Sequence, residues 1–168
     1  MKRGYTWVMR QGVAAAAVSL VVLVAAPLAG ARFSFVTGSM TVSASPHAAG
    51  AHGVRLKVTL HYEMQCGYPG KGPLVVTFPS AMKLPTQFAA GSILLAGSPV
   101  SATVDGRQVT VIVPPHKGVL CNAVGPGSLT LAFTHAAKLE NPKQAGAYSL
   151  RATHSRRTFT AKLRVKSP

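Results

Sequence analysis

Acidic residues are almost absent from this sequence, which has only 3 of them in 168 residues, against 18 lysines and arginines. Glu63, Asp105 and Glu140 are too widely spaced to supply the carboxylate pair of a glycoside hydrolase or the oxygen ligands of a calcium site. No Gly-x-Ser-x-Gly turn is present, and a Ser-His-Asp triad would have to use Asp105, which a hairpin turn already explains. We therefore expect a protein that is not an enzyme and that uses no cofactor.

The N-terminal segment contains no acid, and residues 11–31 contain no charge at all. Three basic residues precede this apolar run, and the small residues Ala29 and Ala31 occupy the −3 and −1 positions of a cleavage site. The pattern predicts a signal peptide over residues 1–31. The alternative is a retained anchor helix, because about 20 uncharged residues just suffice to span a bilayer. Either way the positive flank stays in the cytoplasm, which predicts a secreted or cell-envelope protein that contacts the membrane only if this segment is kept.

Cysteine is scarce as well, since Cys66 and Cys121 are the only two in the chain. There is no Cys-x-x-Cys pair and no third cysteine or histidine cluster to complete a zinc site. An even number of cysteines in an exported chain is typical of a disulfide bond. A Cys66–Cys121 bond would close a loop of roughly 55 residues and stabilise the fold by about 4 kcal/mol in the chain-entropy model.

The remaining 137 residues retain 15 basic residues and 3 acidic ones, a net charge of +12. Residues 32–53 are rich in Ala, Ser, Gly and Thr, which predicts a flexible linker. From residue 54 to residue 168, apolar and polar residues alternate in short runs separated by Gly, Pro and Asn. Asp105-Gly106 between two such runs is a strong hairpin signal. This region therefore predicts an all-β antiparallel sandwich with roughly seven to eight short strands and no long helix.

Two segments resemble a known family. The run GSLTLAFTHAAKLENPKQAGAYSLRATHS and the earlier VVTFPSAMKLP resemble turn and core motifs of immunoglobulin-like modules in bacterial secreted and cell-surface proteins, including those associated with S-layers. The resemblance implies an immunoglobulin-like sandwich and a structural or binding role in the cell envelope.

Tyr148 follows an Asn-Pro…Ala-Gly turn at the start of a late strand. This position fits the tyrosine corner of immunoglobulin-like sandwiches, in which the phenol donates a hydrogen bond to the backbone a few residues upstream. The alternative is an ordinary core tyrosine.

The C-terminal hairpin is the one segment in which charge is organised. Its basic residues lie within sixteen residues that contain no acid, and they are Arg151, Arg156, Arg157, Lys162, Arg164 and Lys166. In the last strand the cations alternate with apolar residues and share one face. The three on this face are Lys162, Arg164 and Lys166. If that strand neighbours the first, Arg55 and Lys57 would join them in a five-cation surface.

These cations predict a surface that attracts anionic cell-wall polymers or polysaccharides. The alternative is that they only keep an edge strand soluble. Specific nucleic-acid binding is not expected, because the strand faces carry no stacking aromatics.

A second hypothesis is a carrier of a small ligand or of copper that uses the loops near the disulfide. His61, Met64 and Cys66, with His116 and Cys121, provide soft-metal ligand types. His61 and Met64 are three residues apart on a strand, so they should point to opposite faces. We therefore expect no metal site from these residues.

The disulfide can be tested on the exported protein by mass spectrometry without reduction. We expect a mass lower by two hydrogens than that of the dithiol form and no alkylation of either cysteine in the native state. Alkylation of both thiols in native protein would show that the bond is not formed.

Overall fold

Two antiparallel β-sheets stack face to face in the computed structural model, which describes residues 38–115 and 124–168. The predicted signal peptide lies outside the described residues. The strands are β1 Ser39–Ser45, β2 His52–Gln65, β3 Gly72–Thr77, β4 Ile93–Leu95, β5 Ser98–Pro99, β6 Ala102–Asp105, β7 Gln108–Val113, β8 Val124–Phe133, β9 Leu139–Glu140, β10 Gly146–His154 and β11 Arg157–Val165.

The first sheet has the strand order β1-β2-β8-β4-β5, with β9 paired to β2, and the second has the order β11-β10-β3-β7-β6. Every pairing between these strands is antiparallel. The structure thus confirms the predicted all-β sandwich. The immunoglobulin-like assignment stays a prediction.

The core lies between the sheets and is built by strict alternation along the strands. In β2 the buried side chains are those at every second position, Val54, Leu56, Val58, Leu60, Tyr62 and Met64. Aromatic side chains meet from opposite sheets: Tyr62 of β2 lies with its ring centroid 5.5 Å from that of Phe159 of β11. Phe78, which follows β3, meets Phe133 of β8 edge to face, also at 5.5 Å. The outer faces carry mostly polar residues, with exceptions such as the exposed Ile112 of β7 and Val124 of β8.

The predicted linker over residues 32–53 is wrong from residue 39 onwards, because β1 lies within it. β1 pairs with β2 along its whole length, from Ser39 opposite His61 to Ser45 opposite Arg55. Its composition resembles that of a linker, yet Met40 and Ala44 alternate with small polar residues and are buried. The sandwich therefore begins about fifteen residues earlier than the predicted boundary.

The segment between β1 and β2 is also fixed in place. Asn141 is 2% exposed, and its side-chain amide donates to the carbonyls of Pro46, at 3.0 Å, and Ala48, at 2.9 Å. The backbone N–H of Ala49 donates to the carbonyl of Lys166 at 2.9 Å, which ties this segment to the end of the chain. Asn141 of the Asn-Pro turn thus has a structural role.

The structure has eleven strands in the described ranges, more than the predicted seven to eight. The additional ones are β1 and the two-residue strands β5 and β9, which are too short to show an alternating pattern. The predicted hairpin at Asp105-Gly106 is confirmed, with Asp105 paired to Gln108 and Gly106 at a φ of 54°. The one helical turn in the described chain is a 3₁₀ turn over His135–Ala137. Within the same ranges, no helix has the length and apolar character needed to cross a membrane.

We predict that Asn141→Ala lowers the free energy of unfolding by about 2 kcal/mol, because the Pro46 and Ala48 carbonyls lose a buried donor. Denaturant titration followed by circular dichroism measures the change. Lys143→Ala, an exposed substitution in the same turn, is the control and should change stability by less than about 0.5 kcal/mol. Equal effects of the two substitutions would show that Asn141 does not hold this segment.

Candidate anion-binding surface

The predicted basic hairpin is formed by β10 and β11, which pair from Gly146 opposite Val165 to His154 opposite Arg157. Ser155 and Arg156 form the tight turn between them, with φ values of 48° and 63°. Leu150 of β10 and Leu163 of β11 point into the core. Because side chains alternate along a strand, the residues on either side of each leucine point outwards. β11 is an edge strand of the second sheet, and β10 lies between β11 and β3.

Three of the predicted cations share the outer face of this hairpin. Arg151 of β10 and Lys162 and Arg164 of β11 are all exposed and outward-facing. Lys166 is exposed just beyond β11, and Arg156 is exposed in the turn. Three of these five cations therefore lie on the outer face, and Arg156 and Lys166 lie at its two opposite ends.

Hydroxyl side chains lie beside these cations. The ammonium of Lys162 donates to the hydroxyl of Ser149, its partner across the two strands. Arg151 has Thr160 opposite it on β11 and Thr77 opposite it on β3. The surface thus combines cations with neutral hydrogen-bonding groups. An alternating Ser/Thr pattern in β10 and β11 was a signal in the sequence that could have added these residues to the site.

Arg157 does not belong to this surface, which corrects the predicted set. It has the same parity in β11 as Phe159 and Leu163, so its half-buried side chain turns to the inner side. Its guanidinium carbon lies 5.9 Å from the centroid of the Tyr62 ring. Burial raises the pKa of Tyr62 to about 12, while the charge of Arg157 opposes that rise. Tyr62 is therefore neutral at physiological pH, and its ring face attracts the cation.

None of the three acids forms an ion pair with a hairpin cation within the described residues. Glu140 forms an ion pair with Lys83 at 3.1 Å, and its carboxylate also accepts a hydrogen bond from His52 at 3.0 Å. The hydrogen bond from Lys83, with a weaker one from His52, lowers the pKa of Glu140. Asp105 lies on the far edge of the same sheet, three strands from Arg151 through Thr77 and Gln108. Three strand spacings are about 14 Å, which exceeds the screening length of about 8 Å at physiological salt.

The predicted five-cation surface is wrong. Arg55 and Lys57 are exposed on β2, in the first sheet, whereas Lys162 and Arg164 lie on β11, in the second. The prediction took β2 as the first strand of the sandwich. The first strand is β1, which lies at the edge of its sheet and contacts β11. Arg55 and Lys57 therefore face away from the hairpin cations.

The phenol of Tyr148 donates a hydrogen bond of 2.8 Å to the backbone carbonyl of Gln144, four residues upstream. This is the contact that the predicted tyrosine corner requires. The Tyr148 side chain is half-buried against the edge of the core, and the bond closes the turn that leads into β10.

The residues considered for a metal site do not converge in the described part of the chain. His61 is exposed on the outer face of β2, and Met64 is buried on its inner face, as the spacing predicts. Within residues 38–115 and 124–168 no group of three or more His, Cys, Asp and Glu side chains is placed to hold a metal ion. His116 and Cys121 lie outside the described residues, so the Cys66–Cys121 disulfide stays a prediction.

No protein-family model matches this chain, and no curated protein matches it. Among solved structures the chain is similar to BslA, described as a bacterial hydrophobin. The two share 17% sequence identity with a TM-score of 0.49, and the alignment covers 78% of this chain and 99% of BslA. We draw no conclusion about function from a likeness at this level.

We predict that Tyr148→Phe lowers the free energy of unfolding by about 1 kcal/mol, because one hydrogen bond is lost while the ring remains. Gln144→Ala is the matched control: its backbone carbonyl is retained, so stability should be nearly unchanged. Both are measured by denaturant titration. Equal stability of Tyr148→Phe and the parent protein would identify Tyr148 as an ordinary edge-of-core tyrosine.

Proposed function

We propose that this chain is an exported, non-enzymatic module of the cell envelope, with an immunoglobulin-like sandwich, that binds anionic wall polymers through the outer face of β10 and β11. The observation that supports this most directly is the grouping of Arg151, Lys162 and Arg164 on one outer face, where none of them forms an ion pair within the described residues. Export of the domain rests on the N-terminal sequence pattern.

The position of Arg151 distinguishes polymer binding from the alternative that the cations only keep an edge strand from pairing with another chain. Cations on β11 serve both purposes, because lysine on an exposed edge discourages pairing with another chain. Arg151, however, lies on β10, whose two edges are paired with β11 and β3. A cation on an interior strand protects no edge, so Arg151 favours a binding role for the face as a whole.

The chemistry of the face favours a polyanion bound through its charge. Arginine and lysine beside hydroxyls offer several donors to phosphate or carboxylate oxygens. The outward positions of β10 and β11 carry no aromatic side chain, and stacking platforms for single-stranded nucleic acids need such side chains. Several cations on one face create a field that attracts a charged polymer even though each alone contributes little.

We predict that replacing Lys162, Arg164 and Lys166 together by Gln weakens binding to isolated cell walls and to sodium polyphosphate by at least about tenfold at low salt. The three side chains are exposed, so the fold, followed by circular dichroism, should be retained. The dependence of affinity on salt should also become flatter, because fewer counterions are released.

The matched control replaces Lys71, Arg107 and Lys143 by Gln. These residues are also exposed and lie outside the hairpin, so the net charge changes equally while the surface is preserved. Strong binding by the control and weak binding by the hairpin variant would support the proposal. Unchanged binding by the hairpin variant, at low and at physiological salt, would mean that its cations only keep the edge strand soluble.

A further inference from the structure

A second cationic site lies on the outer face of the first sheet, on the other side of the sandwich from the hairpin. It is a groove of about 780 Å³. Its polar lining consists of Ser43, Ser45, Arg55, Lys57, Thr134 and His135. Among the residues that line it there is no carboxylate.

Strand register builds this groove. Lys57 lies opposite Ser43 on one side and opposite Ala132 on the other, and Arg55 lies opposite Ser45. The small Ala132 side chain leaves a depression beside the longer cations. Each cation of the groove thus has a serine hydroxyl next to it, as Lys162 does on the second sheet.

Gly53 sets the position of His135, one of the residues that line the groove. A Cβ atom at this position would collide with the imidazole of His135, and its φ of +63° also favours glycine. The ring of His135 therefore packs directly on the β2 backbone. This contact fixes the His135 ring, which together with Thr134 lines the groove.

Arg55 and Lys57 form no ion pair with an acid within the described residues. Glu140 is occupied by His52 and Lys83. Glu63 is on the same outer face of β2, but six residues from Lys57 along the strand. Six residues of an extended strand span about 20 Å, more than twice the screening length at physiological salt.

The groove cations and the hairpin cations lie on opposite sides of the sandwich. Stacked sheets are about 10 Å apart, and outward side chains on both sides bring the separation of their charges to about 20 Å. A polymer on the face of Lys162 and Arg164 therefore leaves the groove of Arg55 and Lys57 open. One polymer chain would have to wrap around the edge of the sandwich to reach both.

We propose that this protein cross-links phosphate polymers by binding one chain on each outer face of its sandwich. This rests on the proposed function and extends it from a single surface to two. Phosphate suits both faces because arginine matches its geometry with paired donors, and a neighbouring hydroxyl adds another. The lining of the groove includes one aromatic residue, Phe133, which is 1% exposed and offers no platform for a sugar ring.

The test measures bridging between two sets of beads that carry the same polyphosphate but different fluorophores. The parent protein should join the two sets, with a maximum at intermediate protein concentration, because excess protein saturates each chain separately. Light scattering on the free protein determines its oligomeric state, and we expect a monomer under these conditions. A stable dimer that accounts for all bridging would overturn the proposal.

Three double variants with the same change in charge separate the faces. Arg55→Gln with Lys57→Gln removes the groove cations, Lys162→Gln with Arg164→Gln removes those of the hairpin, and Arg107→Gln with Lys143→Gln is the control. Each face variant should still bind polyphosphate through its remaining face, the hairpin variant at least about tenfold more weakly than the parent protein, but each should bridge beads at least about tenfold less than the control. Bridging by the groove variant equal to that of the control would overturn the inference and leave the proposed function intact.

Failure of the parent protein to bind polyphosphate beads at all would instead contradict the function proposed for the hairpin, and this inference with it. Beads coated with polyglutamate test whether a carboxylate polymer is bridged as well as a phosphate polymer. Equal bridging of polyglutamate and polyphosphate at matched charge density would overturn the assignment to phosphate.

Discussion

The apolar layer between the two sheets is the constraint on which the placement of every charge depends. Both sheets contribute fully buried side chains to this layer, for example Val54 and Leu56 on β2 and Leu150 on β10. A cation cannot enter such a layer without a large desolvation cost. The basic residues of the strands must therefore point outwards or, as Arg157 does, lie at the margin of the core against an aromatic ring. The cationic faces are thus a consequence of how the core is filled.

The same alternation decided how much could be predicted from the sequence. Where apolar and polar residues alternate strictly, as in β2, β7 and β11, strand and facing were both predictable. The sequence prediction grouped Arg157 with the outward-facing cations. Its position in β11 has the same parity as Phe159 and Leu163, which places it on the inner side. β1 was missed because its buried positions include Ala44, and small side chains give weak contrast with serine and threonine.

Sheet membership was the part that local patterns could not supply. Pairing between β2 and β8 joins residues about seventy positions apart, as in the hydrogen bond between Thr59 and Thr130. Nothing in either strand alone specifies that partner, because several strands offer equivalent edges and equivalent alternation. The groove at Arg55 and Lys57 depends on two such pairings, which bring Ser43 of β1 and Ala132 of β8 beside β2. His135 follows from the second, because its turn comes directly after β8. The groove could therefore be found only once the sheets were known.

The division of cations between two faces also bears on stability. A chain with 18 basic and 3 acidic residues is subject to self-repulsion that favours expansion. Placing Arg55 and Lys57 about 20 Å from Lys162 and Arg164 keeps the two groups beyond each other's screened field. Within each face, repulsion remains and is relieved when an anion binds. Because a ligand that binds only the folded state stabilises it, polyanions should raise the melting temperature of the sandwich, and occupation of both faces should raise it more than occupation of one.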